Sequence, residues 1–222
     1  MTDTAAEQLT LEAILTDVCA QRHCPICFIL ADRTSTLLRQ LQYAAVYDTE
    51  GKARVSAAGG YCNFHFWRLE KLASPATNAL LLESLLEQRK AALLSCQDDP
   101  QRLINCFTTA LRCPVCCACC EWEEELLSLF ATKAPENGFW AAYQHCRGLC
   151  LPHLVQILER LPDREARSAL ITAACRQLDG LLHDLRLQFV KWQTEDRSAR
   201  DEREATDRAI EKLVGGNRSR FR

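Results

Sequence analysis

No charge of one sign dominates this chain. Its 27 Lys and Arg stand against 29 Asp and Glu, leaving a net charge of -2. That balance argues against a general nucleic-acid binder or a polybasic membrane-surface protein. Glycine and proline are sparse, at 8 and 7 of 222 residues. So few exclude collagen, a flexible linker protein and a sandwich full of tight turns. Uninterrupted apolar runs are also missing. Ala79 to Leu82 ends at once in Glu83, far short of the ~18 apolar residues of a membrane span. Met1 to Gln8 is polar and acidic, unlike the basic, then apolar, start of a secretory signal. No P-loop, G-x-G-x-x-G, G-x-S-x-G or H-E-x-x-H motif occurs. The expectation is a cytoplasmic protein without those catalytic constellations.

Cysteine is what the chain has in excess: 14 of 222 residues. Disulfides are disfavoured in a reducing compartment, so dense thiols there point to metal or redox chemistry.

The punctuation predicts helices throughout. Pro25, Pro75, Pro100, Pro114, Pro135, Pro152 and Pro162 each sit where a helix would begin, a position at which the missing N–H costs nothing. Ser74 and Asp99 precede two of them as N-cap candidates. Apolar residues recur at spacings of 3 and 4: Leu11, Ile14, Leu15 and Val18; Leu37, Leu38, Leu41 and Ala45; Leu82, Leu85 and Leu86; Leu126, Leu127 and Phe130. The stretch from Asp163 to Trp192 continues with Leu170, Ile171, Ala174, Leu178, Leu181, Leu182, Leu185 and Phe189, and holds Gly180 as a soft spot. No segment alternates as a strand would. The fold class is all-α.

One pattern occurs twice. Cys24-Pro25-Ile26-Cys27 precedes Gly60-Tyr61-Cys62-Asn63-Phe64-His65, and Cys113-Pro114-Val115-Cys116 precedes Gly148-Leu149-Cys150-Leu151-Pro152-His153. The offset is 89 between the first cysteines and 88 between Cys62 and Cys150. Chance gives one such set in a cysteine-rich chain far more readily than two in register. The division follows: a first helical repeat over 1–97, a second over 98–193 with a long helix, and a charged helical tail with a basic end over 194–222.

Each half supplies three Cys and one His, Cys24, Cys27, Cys62 and His65 in one and Cys113, Cys116, Cys150 and His153 in the other. Thiolate and imidazole are preferred ligands of tetrahedral zinc, and four protein ligands leave no open catalytic position. Residues at i and i+3 share a helix face, and a helix start favours thiolate. The expectation is two tandem helical hairpins, each clipped at its open end by its own zinc. Three Cys and one His also suit a [2Fe–2S] cluster, which stays open as an alternative. The leading function is a non-catalytic, zinc-stabilised interaction or regulatory module whose partner is another protein. The alternatives are an iron–sulfur protein and a thiol-based sensor of soft metals or oxidants.

The remaining cysteines break the pattern. At the repeat offset, Cys117, Cys119 and Cys120 fall on Phe28, Leu30 and Ala31. Cys117 and Cys120 therefore read as small core hydrophobes, with a ligand or thiol role as the alternative. Cys146, one turn before Cys150, is the candidate stand-in ligand, and Cys19 a weaker one. Cys96, Cys106 and Cys175 complete the set. His23 and His145 read as surface residues or neighbours of the ligand sets, and His183 as a core or boundary residue. Phe66 and Trp67 could shield a metal or simply pack. In the tail, Asp196–Arg200 and Glu204–Arg208 are spaced at i,i+4, and Ala205, Ala209, Ile210 and Leu213 form an apolar stripe. This reads as a solvated helix docking weakly, with a frayed end over Asn217 to Arg222.

These motifs, with Phe66-Trp67 after His65 and Leu154 after His153, resemble a bacterial and archaeal family described only as a domain of unknown function. The end Ala209-Ile210-Glu211-Lys212-Leu213-Val214-Gly215 also resembles it. The likeness covers about residues 20–216. Members of that family often carry a His/Asp/Tyr/Arg-containing run after the last long helix. This chain has Val190-Lys191-Trp192-Gln193-Thr194 there, so no role is carried over to it. The resemblance implies a metal-binding helical architecture and no particular reaction.

Overall fold

The computed structural model describes residues 13, 15, 23–72, 74–96, 99, 101, 102, 104, 105, 113–144, 146–193 and 199–215. Among them there are helices and turns and no strand. The helices are α1 (Pro25–Tyr47), α2 (Thr49–Ala57), α3 (Asn63–Leu72), α4 (Pro75–Ser95), α5 (Pro114–Lys133), α6 (Asn137–Gln144), α7 (Leu151–Arg160), α8 (Arg164–Gln193) and α9 (Ala199–Val214). None is long and apolar enough to cross a membrane.

Pro25, Pro75, Pro114 and Pro152 occupy first-turn positions. Pro135 lies in the turn before α6, and Pro162 in the short link before α8, instead. The Ser74 hydroxyl accepts the Thr77 N–H at 3.3 Å, capping α4. Asp48 does the same for α2, accepting from Glu50 N and Gly51 N at 3.0 Å each. The Asp99 carboxylate accepts from Arg102 N at 3.0 Å. Gly180 lies within α8, with open space where a Cβ would stand.

Two compact units form, and they are not the tandem halves split near residue 97. One combines residues 1–31 with 123–222; the other is residues 32–122. The dividing lines fall inside α1 and α5. The return helices are much shorter than the helices they follow. The 23 residues of α1 advance ~34 Å, but the 9 residues of α2 recover only ~13 Å. The 20 residues of α5 advance ~30 Å and the 8 of α6 recover ~12 Å.

The unit of residues 32–122 has a core of Leu38, Val55, Tyr61, Leu69, Leu81, Leu85, Cys113 and Val115. In the other unit Phe130 meets Phe139 and Tyr143 edge-on, at ring separations of 5.0 and 5.4 Å. Leu126, Leu127, Leu149, Ile157 and Leu170 are fully buried there too. The Tyr143 hydroxyl accepts the Leu149 N–H at 3.4 Å, which fixes the loop leading to Cys150. Only one residue of the expected stripe on α4 is realised: Leu85 is buried, while Leu82 and Leu86 are exposed.

Cys19, Cys106, His145, the first-helix positions Leu11, Ile14 and Val18, residues 194–198 and the end 216–222 lie outside the described residues.

Candidate metal centres

Four of the ligand candidates are N-terminal to a helix, and each passes its carbonyl into the first helical hydrogen bond. Phe28 N donates to Cys24 O, Phe66 N to Cys62 O, Cys117 N to Cys113 O and Leu154 N to Cys150 O, all within 2.9–3.1 Å. Each centre therefore sits where two helix N-termini converge. Their free N–H groups and positive dipole ends favour thiolate. Gly60 and Gly148, two residues before Cys62 and Cys150, have φ of 93° and 76°. Only glycine takes that conformation without strain. A Cβ on Gly148 would also strike Gln177.

The eight residues gather as two groups of three cysteines and one histidine, but not the groups of the sequence repeat. Cys24 and Cys27 stand with Cys150 and His153 in the unit of residues 1–31 and 123–222. Cys113 and Cys116 stand with Cys62 and His65 in the unit of residues 32–122. The outer motifs pair with each other and the inner motifs pair with each other. The expected assignment of each centre to one repeat is thus corrected: α1 and α5 each run from one compact unit into the other, so the two motifs of one repeat fall in different units.

In the first centre His153 Nδ1 faces all three sulfurs: Cys24 at 3.4 Å, Cys27 at 3.5 Å and Cys150 at 3.2 Å. The Cys27 and Cys150 sulfurs are 3.7 Å apart, and all four residues are buried. In the second, His65 Nδ1 lies 3.3 Å from Cys62 and 3.4 Å from both Cys113 and Cys116. Cys62 and Cys116 are 3.6 Å apart and only half-buried.

Ionisation within the first centre is sharply divided. Burial alone would push the Cys24 thiol up, but hydrogen bonds from Cys150, Cys27 and His153 hold it well below its ordinary value. Hydrogen bonds to Cys150 and Cys24, together with burial, push Cys27 up. Burial favours neutral His153, yet its bonds to Cys150, Cys24 and Glu123 raise it to about 11. In the second centre burial pushes Cys113 and Cys116 up. A cation among these groups would replace the shared protons and favour thiolate at every cysteine.

The surroundings of the first centre contain residues that the sequence reading missed. His153 Nε2 is 3.2 Å from a Glu123 carboxylate oxygen, an arrangement that fixes the ring tautomer and increases ligand basicity. Glu211 accepts from Cys24 N at 3.3 Å and from His23 Nδ1 at 2.9 Å. His23 is thus a neighbour of the ligand set. Lys212 is buried and donates to Gln177 Oε1 at 3.1 Å and to the Arg147 carbonyl at 3.4 Å. Burial lowers its pKa from the ordinary lysine value. The tail helix α9 therefore docks through its polar face. Ile210 and Leu213, read as its docking stripe, are exposed, and Arg208 pairs with Asp184 at 2.9 Å.

Other expectations change as well. Cys117 and Cys120 are exposed rather than core residues, as is Cys175, while Cys96 is buried. Cys119 is half-buried, 3.2 Å from the Thr34 hydroxyl. Cys146 joins neither ligand group; its sulfur accepts the Gly148 N–H at 3.1 Å and so braces the turn. His183 is exposed. Trp67 is 65% exposed and shields no metal. Phe64 packs edge-on against His65 at 5.1 Å, and Phe66 packs on Tyr61 at 5.3 Å.

A family model with the description "Family of unknown function (DUF6062)" matches residues 7–220. The chain belongs to the DUF6062 family. That match takes in all eight cysteine and histidine ligand candidates. No curated protein and no solved structure matches the chain.

Proposed function

We propose that this chain is a non-catalytic interaction module whose two helical units are each held together by one structural zinc ion. The observation that carries the reading is the spacing of the donors. Four ligands at Zn–S ~2.3 Å and Zn–N ~2.0–2.1 Å in a tetrahedron stand ~3.8 Å apart between sulfurs and ~3.6 Å apart between sulfur and nitrogen. The corresponding separations here are 3.6–3.7 Å and 3.2–3.5 Å. All donor atoms of a group lie within 4.8 Å of one another. That suits one ion, whereas a cluster of bridged irons spreads its ligands over separate metal atoms. Four protein ligands leave no place for an activated water.

Each ion would tie together chain segments far apart in sequence, 24–27 with 150–153 and 62–65 with 113–116. Structural zinc supplies on the order of 10–16 kcal/mol of apparent binding free energy, comparable to the stability of a whole domain. The interaction role draws on exposed apolar side chains: Leu187, Phe189 and Val190 on α8, and Leu86, Leu93 and Leu94 on α4.

The test is the metal and acid-labile sulfide content of protein purified without oxygen, with its visible spectrum. Two zinc per chain and no colour is the expected result. Iron with sulfide and visible absorbance would make it an electron-transfer or sensing protein.

Exposed Cys117 and Cys120, on α5 just beyond Cys116, favour a second reading: a thiol sensor of soft metals or oxidants. Alkylation of the metal-loaded protein tests it. Selective, fast labelling of these two residues supports sensing; ordinary thiol rates at both remove it.

A further inference from the structure

Helix α8 carries two apolar stripes. One faces the core of its own unit, where Leu170, Ala174 and Leu181 are buried. The other lies beside it, roughly a quarter of a turn round the helix, and runs Ile171, Cys175, Leu178, Leu182, Leu185 and Phe189. Successive members are spaced 4, 3, 4, 3 and 4 residues apart, the heptad rhythm of a helix that packs along a second helix. Ile171 and Leu182 are 47% exposed, Phe189 is 58% exposed, Cys175 is exposed, and Leu178 and Leu185 are half-buried. Helix α9 docks on the core side instead, against Gln177, Asp184 and Gln188. A helix that packs only within its own unit needs one apolar face.

The charges beside the second stripe select its occupant. Asp179 and Arg186 flank it on the side away from the core, one heptad apart, and both are exposed. Neither side chain makes a hydrogen bond or ion pair among the described residues. Laid antiparallel on a second copy of itself, the stripe matches. With Leu182 opposite Leu185 of the second copy, Leu178 falls opposite Phe189 of that copy, and two-fold symmetry repeats both layers. In this register Asp179 stands about 3 Å along the axis from the level of Arg186 of the second copy, within reach of an ion pair that symmetry forms twice. A parallel pairing offers no such match, because Asp179 and Arg186 would then face Ala174 and Leu181.

We propose that α8 is the interface of an antiparallel homodimer, closed by Leu178, Leu182, Leu185 and Phe189 and set in register by Asp179 and Arg186. The inference rests on the interaction role read from α8 and not on which ion fills either centre. One helix pair is a small interface, so the dimer is reversible and depends on concentration.

The test follows the whole chain as purified, under reducing conditions, by sedimentation equilibrium across the micromolar range, with metal content measured on the same samples. A monomer–dimer equilibrium is expected. Leu182→Glu puts a charge without a partner into the interface and should weaken the dimer about tenfold or more, with helical circular dichroism and metal content unchanged. Asp179→Arg and Arg186→Asp should each weaken self-association, because each sets like charges against one another at both pairs. An equimolar mixture of those two variants restores both attractive pairs and should associate more tightly than either alone. A monomer at every concentration, a dimer indifferent to Leu182→Glu, or a mixture that associates no better than its components would each overturn the proposal. Mild oxidation reads the direction of pairing. The antiparallel register holds the two Cys175 residues about 25 Å apart along the axis, so a Cys175–Cys175 disulfide that forms faster in the parent than in Leu182→Glu would overturn it in favour of a parallel pair. A monomer holding two zinc would refute this interface alone, and a dimer without zinc would refute the zinc reading alone.

Discussion

His153 uses its two ring nitrogens for different purposes: Nδ1 faces the sulfurs of Cys24, Cys27 and Cys150, and Nε2 meets the Glu123 carboxylate at 3.2 Å. The carboxylate comes from α5 and is also held by Gln156 at 3.4 Å. It keeps the proton on Nε2 and leaves Nδ1 as the donor to a metal.

Glu123→Ala should therefore weaken the first centre without touching its four ligands. Loss of such a partner costs roughly 10–100-fold in metal affinity. Competition with a chromophoric chelator should show one site weakened to that extent and the other unchanged. Equal weakening of both sites, or of neither, would remove Glu123 from this role.

Acid should remove the same contribution. The hydrogen bond from His153 holds the Glu123 carboxyl below its ordinary value of 4.5. A carboxyl depressed in the folded state contributes stability that is fully present above the unfolded value and disappears as pH falls through the folded one. Protons also compete with metal for the thiolates. Melting temperatures of the parent and of Glu123→Ala should differ at pH 7, begin to approach one another below about pH 4.5, and meet once pH falls below the depressed Glu123 value. A gap that persists in acid would mean that the variant acts through packing.

The Tyr61 hydroxyl is buried without a hydrogen-bond partner among the described residues. Burial, with the nearby Cys113, pushes its pKa up. An unsatisfied buried hydroxyl costs stability, and its ring is already packed against Phe66. Tyr61→Phe should raise unfolding free energy by up to about 1 kcal/mol. A clear loss in chemical denaturation would show that the hydroxyl is satisfied by an ordered water.

The helical class and the eight Cys and His residues that gather into two groups were legible because they depend on local chemistry. Proline at a first turn, Ser74 as a cap and soft donors at i,i+3 need only a few neighbouring residues. The pairing of the motifs depends instead on how far each helix travels. Pro135 reads from the sequence as a helix start, but it lies in the turn, and α6 covers only Asn137–Gln144. α1 and α5 each run from one compact unit into the other, and so each Cys-Pro-x-Cys meets the Cys-x-x-His motif of the other repeat. The same limit applies to α9. Its apolar positions Ile210 and Leu213 suggested the docking face, yet Asp184, Gln177 and the Arg147 carbonyl offered better partners to Arg208 and Lys212. Cys117 and Cys120 were assigned to a core through the repeat offset, which fails where the two motif sets lie in different compact units.

The nested pairing of the motifs is tested most directly by Cys150→Ser. Loss of Cys150 should release one ion and leave Cys24 and Cys27 without their partner. Mass-spectrometric mapping after brief alkylation should find Cys24 and Cys27 newly labelled, with Cys113, Cys116 and Cys62 still protected. Labelling of Cys113 and Cys116 while Cys24 and Cys27 stay protected would overturn the pairing and return each centre to its own sequence repeat.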